Sequence, residues 1–162
     1  MTALKYAFAA MLAIMSAEVS AQSLRVMSYN VRNGVGMDDV RDYDRAAGVI
    51  DRLRPDVVAV QEVDSATGRS SGRYVLGEFA QRTSMYPLYA PAISYDGGSY
   101  GIGLLSRHRP KAVKRIALPG SEESRALLIA DFGDYAVACT HLSLTEADAL
   151  SSAALISEEA AA

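Results

Sequence analysis

A chain of 162 residues is long enough for one domain and not comfortably for two. Half of its residues are hydrophobic and 22% are charged, the ordinary balance of a soluble globular protein. Nineteen acidic residues against sixteen basic ones leave a net charge of −3, which gives no overall basic footprint for nonspecific nucleic-acid binding.

The chain opens on a weakly positive start at Lys5, an uninterrupted apolar stretch from Tyr6 to Met15, and the small-residue sequence Val19-Ser20-Ala21. This order is that of a signal peptide, residues 1–21, removed after Ala21. The apolar run is far shorter than the roughly 20 residues of a membrane span. The expected product is an exported protein, periplasmic or secreted, beginning near Gln22 and without a transmembrane segment. Leu24 to Tyr29 reads as a strand, broken at Asn33-Gly34-Val35-Gly36. Ala46, Val49, Ile50 and Leu53 share one face of a predicted helix that Pro55 stops. Val57 to Val60 is short, largely β-branched and apolar on both faces, which predicts a strand covered on both sides. Ser65 to Gly72 reads as a loop, and Val75, Leu76, Phe79 and Ala80 make a second amphipathic helix.

The remainder has an antiparallel character. Candidate strands run over Tyr86 to Ala90, Ile102 to Leu105, Val113 to Leu118, Leu127 to Asp131 and Tyr135 to Thr140, with Gly133-Asp134 as a tight hairpin. A final helix is predicted from Thr145, with Ser143 and Glu146 at capping-box spacing and Ala147, Leu150 and Ala154 on one face. The single cysteine, Cys139, forms no intrachain disulfide and reads as a small buried hydrophobe.

Three polar residues each end an apolar strand: Asn30, Glu62 and His141. Strand ends in α/β sheets are where a scaffold aims side chains into one crevice. Taken singly, they are more often a turn residue, a solvated carboxylate and a surface or core histidine. Together, a carboxylate, an amide and an imidazole form a kit for metal-assisted hydrolysis, since Mg²⁺ takes oxygen ligands and is often held by one or two carboxylates with water and phosphate.

The motifs around these residues carry a resemblance. Leu24 to Arg32 with Ser28-Tyr29-Asn30-Val31-Arg32, Pro55 to Val63 with Gln61-Glu62, Tyr100 to Arg107 with Gly101-Ile102-Gly103, and Thr140-His141-Leu142 appear in the order of the endonuclease/exonuclease/phosphatase superfamily, which this sequence resembles. The resemblance implies an α/β (α+β) fold, part of a four-layer αββα sandwich with mixed sheets, over residues 22–162. It implies a Mg²⁺-dependent phosphoester hydrolase, with Mn²⁺ as a substitute ion, acting on a phosphorylated substrate of unspecified type, with no obligate protein partner evident. It places the metal on Glu62 and Asn30, gives Asn30 and His141 catalytic roles, and puts Arg125 against the substrate phosphate. Tyr100, a tyrosine beside glycine, is a possible substrate contact in the family and reads more readily as packing. The family's Gly-Asp-x-Asn and terminal Asp-His motifs do not occur, so the domain is expected to be truncated on its C-terminal side and inactive alone. On that view Val26, Val58, Val60, Leu104 and Val137 would keep an uncovered face. The alternative reading is a non-catalytic exported half-domain or phosphate-ligand-binding module.

Overall fold

The computed structural model describes residues 23–161; the signal-peptide segment, residues 1–21, lies outside them. Strand β1 (Val26–Asn30) leads through a tight 3-10 turn, Arg32–Gly34, to helix α1 (Tyr43–Leu53) and strand β2 (Val57–Ser65). Helix α2 (Val75–Thr83), strands β3 (Tyr86–Tyr95), β4 (Gly98–Ser106), β5 (Ala112–Leu118), β6 (Arg125–Asp131) and β7 (Ala136–Thr140), and helix α3 (Glu146–Ala161) follow. The element order matches the sequence reading throughout, with most strands a few residues longer than the apolar runs that announce them. No helix among the described residues is long and apolar enough to cross a membrane.

The local reasons are visible. Asp42 caps α1 by accepting the backbone N–H of Arg45 at 2.9 Å, and Arg54 ends it in the left-handed conformation just before Pro55. Leu53 lies at that frayed end and is exposed rather than on the packed face. The first sheet has the order β1-β2-β4-β3, with β1 parallel to β2 and the remaining pairs antiparallel, so it is mixed. The second sheet, β5-β6-β7, is wholly antiparallel, and a turn at Gly133 joins β6 to β7.

The two sheets pack face to face. Alternation along β2 divides its side chains between two cores. Val58 and Val60 meet Ile50, Leu76 and Phe79 on the helix side. Val57 and Ala59 meet Leu104, Leu128, Val137 and Cys139 on the side of the second sheet. The expectation of an uncovered sheet face is therefore corrected. Val58 and Val60 have no exposure because the two helices cover them, and Leu104 has none and Val137 only 8% because the two sheets of this chain cover each other; only Val26 stays largely exposed. The Cys139 thiol is free and buried, and burial pushes its pKa up to about 12.

Helix α3 lies on the outer side of the second sheet, held by an ion pair between Glu159 and Lys114 and by Asp148 accepting from the Ser121 N–H at 2.6 Å. Its packed side carries the buried Ser152, so the apolar face with Ala147, Leu150 and Ala154 is the exposed one. The anticipated capping box is replaced as well: the Ser143 hydroxyl accepts from the Thr145 N–H at 3.0 Å and donates to Glu122 at 2.6 Å.

Two glycines make opposite predictions. A Cβ on Gly101 would run into the carbonyl of Ala90 and the backbone of Pro91 and Ala92, where β4 pairs with β3, so Gly101→Ala is expected to cost about 1–3 kcal/mol. Gly48 lies in mid-helix with nothing within 4 Å of such an atom, so Gly48→Ala should stabilise by about 0.4–1 kcal/mol. Urea denaturation of both variants checks the pair.

Candidate active site

Glu62 does not occupy a regular strand position. The register of β2 against β4 shifts between Gln61 and Val63, and Glu62 has a left-handed φ of 61°. One residue is thus inserted into the strand. Without it, Glu62 would follow Val58 and Val60 onto the helix-facing side; with it, Val63 takes that buried slot. The bulge moves the charge out of the core and leaves it within β2, three residues before the strand's end and not at it as the sequence reading had it, on the wall of a cavity.

The parallel neighbour meets it there. Asn30 ends β1, and its Nδ2 donates to Glu62 Oε1 at 2.6 Å while its Oδ1 accepts the Arg32 N–H at 3.0 Å. The amide is therefore held at both ends and clasps one carboxylate oxygen. Gln61, on the other face of β2, donates to Ser28 and to the Cys139 sulfur. Because Cys139 also donates to the Val60 carbonyl, the C-terminal end of β7 lies beside the bulged part of β2.

The cavity of about 360 Å³ is lined by Glu62, Arg32, Asn33, Arg41, Arg69 and Glu123, with Tyr95, Tyr100, Ile93 and Val35 completing it. Its far wall rests on one buried carboxylate. Asp64, with no exposure, accepts from Asn33 Nδ2 at 2.8 Å, Thr67 Oγ1 at 2.6 Å, and Arg69 through Nε and Nη2, both at 2.7 Å. Burial pushes the Asp64 carboxyl up, but the hydrogen bonds from Arg69 and Thr67 outweigh it and hold the group below its ordinary range. Arg69 in turn lies over the Tyr95 ring at 4.4 Å and the Tyr100 ring at 5.4 Å. Burial, and then the negative charges of Glu62 and Glu123, raise the Tyr100 phenol, so its hydroxyl remains a donor at neutral pH.

Two other candidates stand apart from this cluster. His141 follows β7, is half-buried, makes no hydrogen bond to the described residues and does not line the cavity. Arg125 is 9% exposed and forms ion pairs with Glu122 and Glu123, both at 3.1 Å. It stands beside a cavity-lining carboxylate and its guanidinium is engaged.

Sequence reasoning missed Asn33, Asp64, Arg69 and Tyr95. Asn33-Gly34 reads as a simple turn, and Arg69 sits in a loop of small polar residues. The one available signal was Val63-Asp64, an acidic residue continuing an apolar strand into the core.

Among the described residues there is no group of three or more His, Cys, Asp or Glu able to enclose a metal ion. The donor set instead suits a hydrated, oxygen-seeking cation held at few points, chiefly the fixed carboxylate of Glu62. Mg²⁺ fits this set, with water and phosphate completing its shell.

Comparison with known proteins agrees with this architecture. No curated protein matches the chain. An endonuclease/exonuclease/phosphatase from Beutenbergia cavernae DSM 12333 is similar in structure, with a TM-score of 0.68 and 25% identity, over 82% of this chain and 43% of that one. TDP2 from Caenorhabditis elegans is similar in fold, with a TM-score of 0.55 and 22% identity, over 91% of this chain and 46% of that one. A functionally unknown conserved protein from Enterococcus faecalis V583 has a TM-score of 0.59 at 15% identity, over 84% of this chain and 60% of that one. The chain thus spans less than two thirds of the length of each. Its residues 27–149 match the Endonuclease/Exonuclease/phosphatase family, and the chain belongs to that family.

Proposed function

We propose that this chain carries the metal-binding side of a Mg²⁺-dependent phosphoester hydrolase, exported to the periplasm or the medium. The observation that carries the reading is the strained carboxylate of Glu62, clasped by Asn30 in an arginine-lined cavity. Left-handed backbone in a non-glycine residue costs on the order of 1–3 kcal/mol and concentrates where function requires it. Arg32 and Asn33, also left-handed, line the same cavity.

Glu62 would hold Mg²⁺ through its carboxylate, and Mn²⁺ in its place. Bound Mg²⁺ neutralises the charge that develops on the phosphoryl oxygens during water attack. Asn30 fixes the rotamer of Glu62 and presents its own amide to metal or phosphate. The imidazole of His141, at the same edge of the sandwich, donates to a phosphate oxygen or moves a proton, both accessible to histidine near neutral pH. Arg125 would reach phosphate only by exchanging its pairing with Glu122 and Glu123. The lack of a three-ligand cluster among the described residues favours one second reading, a phosphate-ligand-binding module without turnover. Mg²⁺-dependent hydrolysis of bis-p-nitrophenyl phosphate by an intact version of the enzyme separates the two, and the turnover expectations below refer to that version.

Under the hydrolase reading, Glu62→Gln abolishes Mg²⁺-dependent turnover and Mn²⁺ binding. Asn30→Ala weakens both on the order of 10–100-fold, as expected for a group that orients a ligand. Equal metal titrations for wild type and Glu62→Gln would remove the assignment.

Glu62→Gly should separate chemistry from stability. Relief of the left-handed strain is expected to raise stability by about 1 kcal/mol while metal activation is lost. Parallel urea melts and Mn²⁺ titrations provide the check.

For His141→Ala, a fall in turnover of roughly 10²-fold with an unchanged melting temperature is expected. A lower melting temperature with normal activity would instead give His141 a packing role.

A further inference from the structure

The end of the sandwich remote from Glu62 gathers cations. Here β1 and β2 begin, β4 runs out, and the chain crosses to the second sheet through Arg107-His108-Arg109-Pro110-Lys111. Arg107 is fixed at the junction, its N–H donating to the Asp56 carbonyl at 3.0 Å and its Nε to the Pro55 carbonyl at 2.9 Å. The Arg25 N–H donates to Asp56 Oδ2 at 2.8 Å, which brings Arg25 to the same turn. Arg109 lies over the Tyr86 ring at 4.8 Å, and the Lys111 side chain lies against Gly133 in the β6–β7 turn. Arg54, just after α1, precedes Pro55. None of these five side chains forms an ion pair with a described carboxylate. Asp56, Asp131 and Asp134 share this end, the first two bound to the N–H groups of Arg25 and Gly133. Asp51 and Arg52, in the last turn of α1, offset one another. The end is left positive in a chain whose net charge is −3.

Apolar groups are set among these cations. The strand register places Val26, Val57, Ser106 and Tyr86 in one row across the first sheet. The inner two are buried and the outer two exposed, as are Leu24 and, at the end of α1, Leu53. Exposed guanidinium groups interleaved with aliphatic side chains and a tyrosine suit a membrane interface. The cations meet lipid phosphates, the aliphatic groups enter between headgroups, and tyrosine takes the boundary. A nucleic-acid face would use the same cations but gains nothing from an exposed Leu24, Val26 and Leu53.

The path of the chain is an independent observation. Ser23 and Leu24 line a cleft at this end together with Asp56 and Tyr135. Only seven residues separate Ser23 from the apolar run Tyr6 to Met15. A membrane that receives this run lies within about 30 Å of this end even if those residues are fully extended.

We propose that this end of the sandwich docks on a bilayer of anionic phospholipid, with the Glu62 cavity turned away from the membrane. The proposal draws on the export reading only for where such a bilayer is met, and it does not depend on the hydrolase reading. Under the hydrolase reading it adds a constraint: substrate reaches the cavity from the aqueous side and not from within the bilayer.

The chain contains no tryptophan, so one substitution reports which end meets the lipid. Tyr86→Trp keeps an aromatic face under Arg109. Met37→Trp puts the same probe on an exposed loop at the cavity end, next to Gly36, whose carbonyl accepts from the cavity-lining Arg32. The exported product, residues 22–162, is sedimented at low salt with vesicles of phosphatidylglycerol and phosphatidylcholine in equal parts, or of phosphatidylcholine alone. Binding to the anionic vesicles, at least tenfold weaker binding to the neutral ones, and release by added salt are expected. Emission of the Tyr86→Trp variant should shift to the blue on binding and that of Met37→Trp should not. Arg109→Gln with Lys111→Gln, both exposed and with the melting temperature checked in parallel, should weaken binding at least tenfold, and each change alone severalfold. Leu144→Ser, exposed and remote from this end, should leave it unchanged. No binding, equal binding to both vesicle types, a blue shift confined to Met37→Trp, or a double variant that binds like the unaltered chain would each overturn the docking surface. Duplex DNA bound through Arg109 and Lys111 more tightly than the vesicles at the same salt would overturn the lipid assignment in favour of nucleic acid. All of these readouts are taken without metal or substrate, so absence of turnover removes the hydrolase reading and leaves the docking surface in place.

Discussion

A carboxylate with no contact with water must find donors inside the protein, and the need of Asp64 for them organises one end of this molecule. An ionised group in a low-dielectric interior is tolerated only when paired and fully hydrogen-bonded. Asp64 draws its donors from two different connections: Asn33 from the turn after β1, and Thr67 and Arg69 from the loop after β2. Satisfying one buried charge therefore fixes two loops relative to each other. The aromatic wall is fixed with them, because Arg69 can lie over Tyr95 and Tyr100 only while Asp64 holds it. Removing Arg69 leaves the buried Asp64 charge uncompensated and is far more disruptive than losing a surface ion pair.

The second organising device is the single inserted residue in β2. A strand has a period of two, so one extra residue exchanges the faces of everything beyond it. Val63 falls into the core behind Val58 and Val60, and Glu62 is expelled at the bulge beside Asn30. Backbone strain at Glu62 is sustained by the strand pairing on both sides of it: β1 on one flank, β4 on the other. The geometry of the candidate site and the core packing are thus set by the same local event.

Much of this architecture could be read from the sequence, for physical reasons that differ by element. The doubly covered strand at Val57 to Val60 was legible because burial on both faces removes alternation. The two short helices were legible from their apolar spacing. Asn30 was recognisable as a strand-terminal polar residue and Glu62 as part of a familiar motif, but Glu62 lies at a bulge inside β2 rather than at its end, and the direct hydrogen bond of the two depends on the parallel register of β1 and β2, which no local pattern encodes. The failures are equally specific. The apolar spacing of Ala147, Leu150 and Ala154 does not mark the packed side of α3, because the helix docks through Asp148, Ser152 and Glu159. The coverage of Leu104 and Val137 could not be read locally because the count of strands, not their character, decides whether one chain supplies an opposing sheet, and Val58 and Val60 are covered by the helices instead. Arg69 and Asp64 escaped notice because a buried ion pair between a strand and its own following loop has no sequence periodicity.

The buried thiol of Cys139 has a practical consequence. It lies between the two sheets, bonded to the Val60 carbonyl and approached by Gln61, and burial keeps it protonated across the accessible pH range. The nucleophile is the thiolate, so the group is silent toward alkylating reagents while the sandwich is closed. Any labelling must pass through a state in which the sheets part. The chain therefore contains a native chronometer: the rate at which Cys139 is trapped, followed against reagent concentration, reads the frequency with which the β2–β7 seam opens, with no probe introduced.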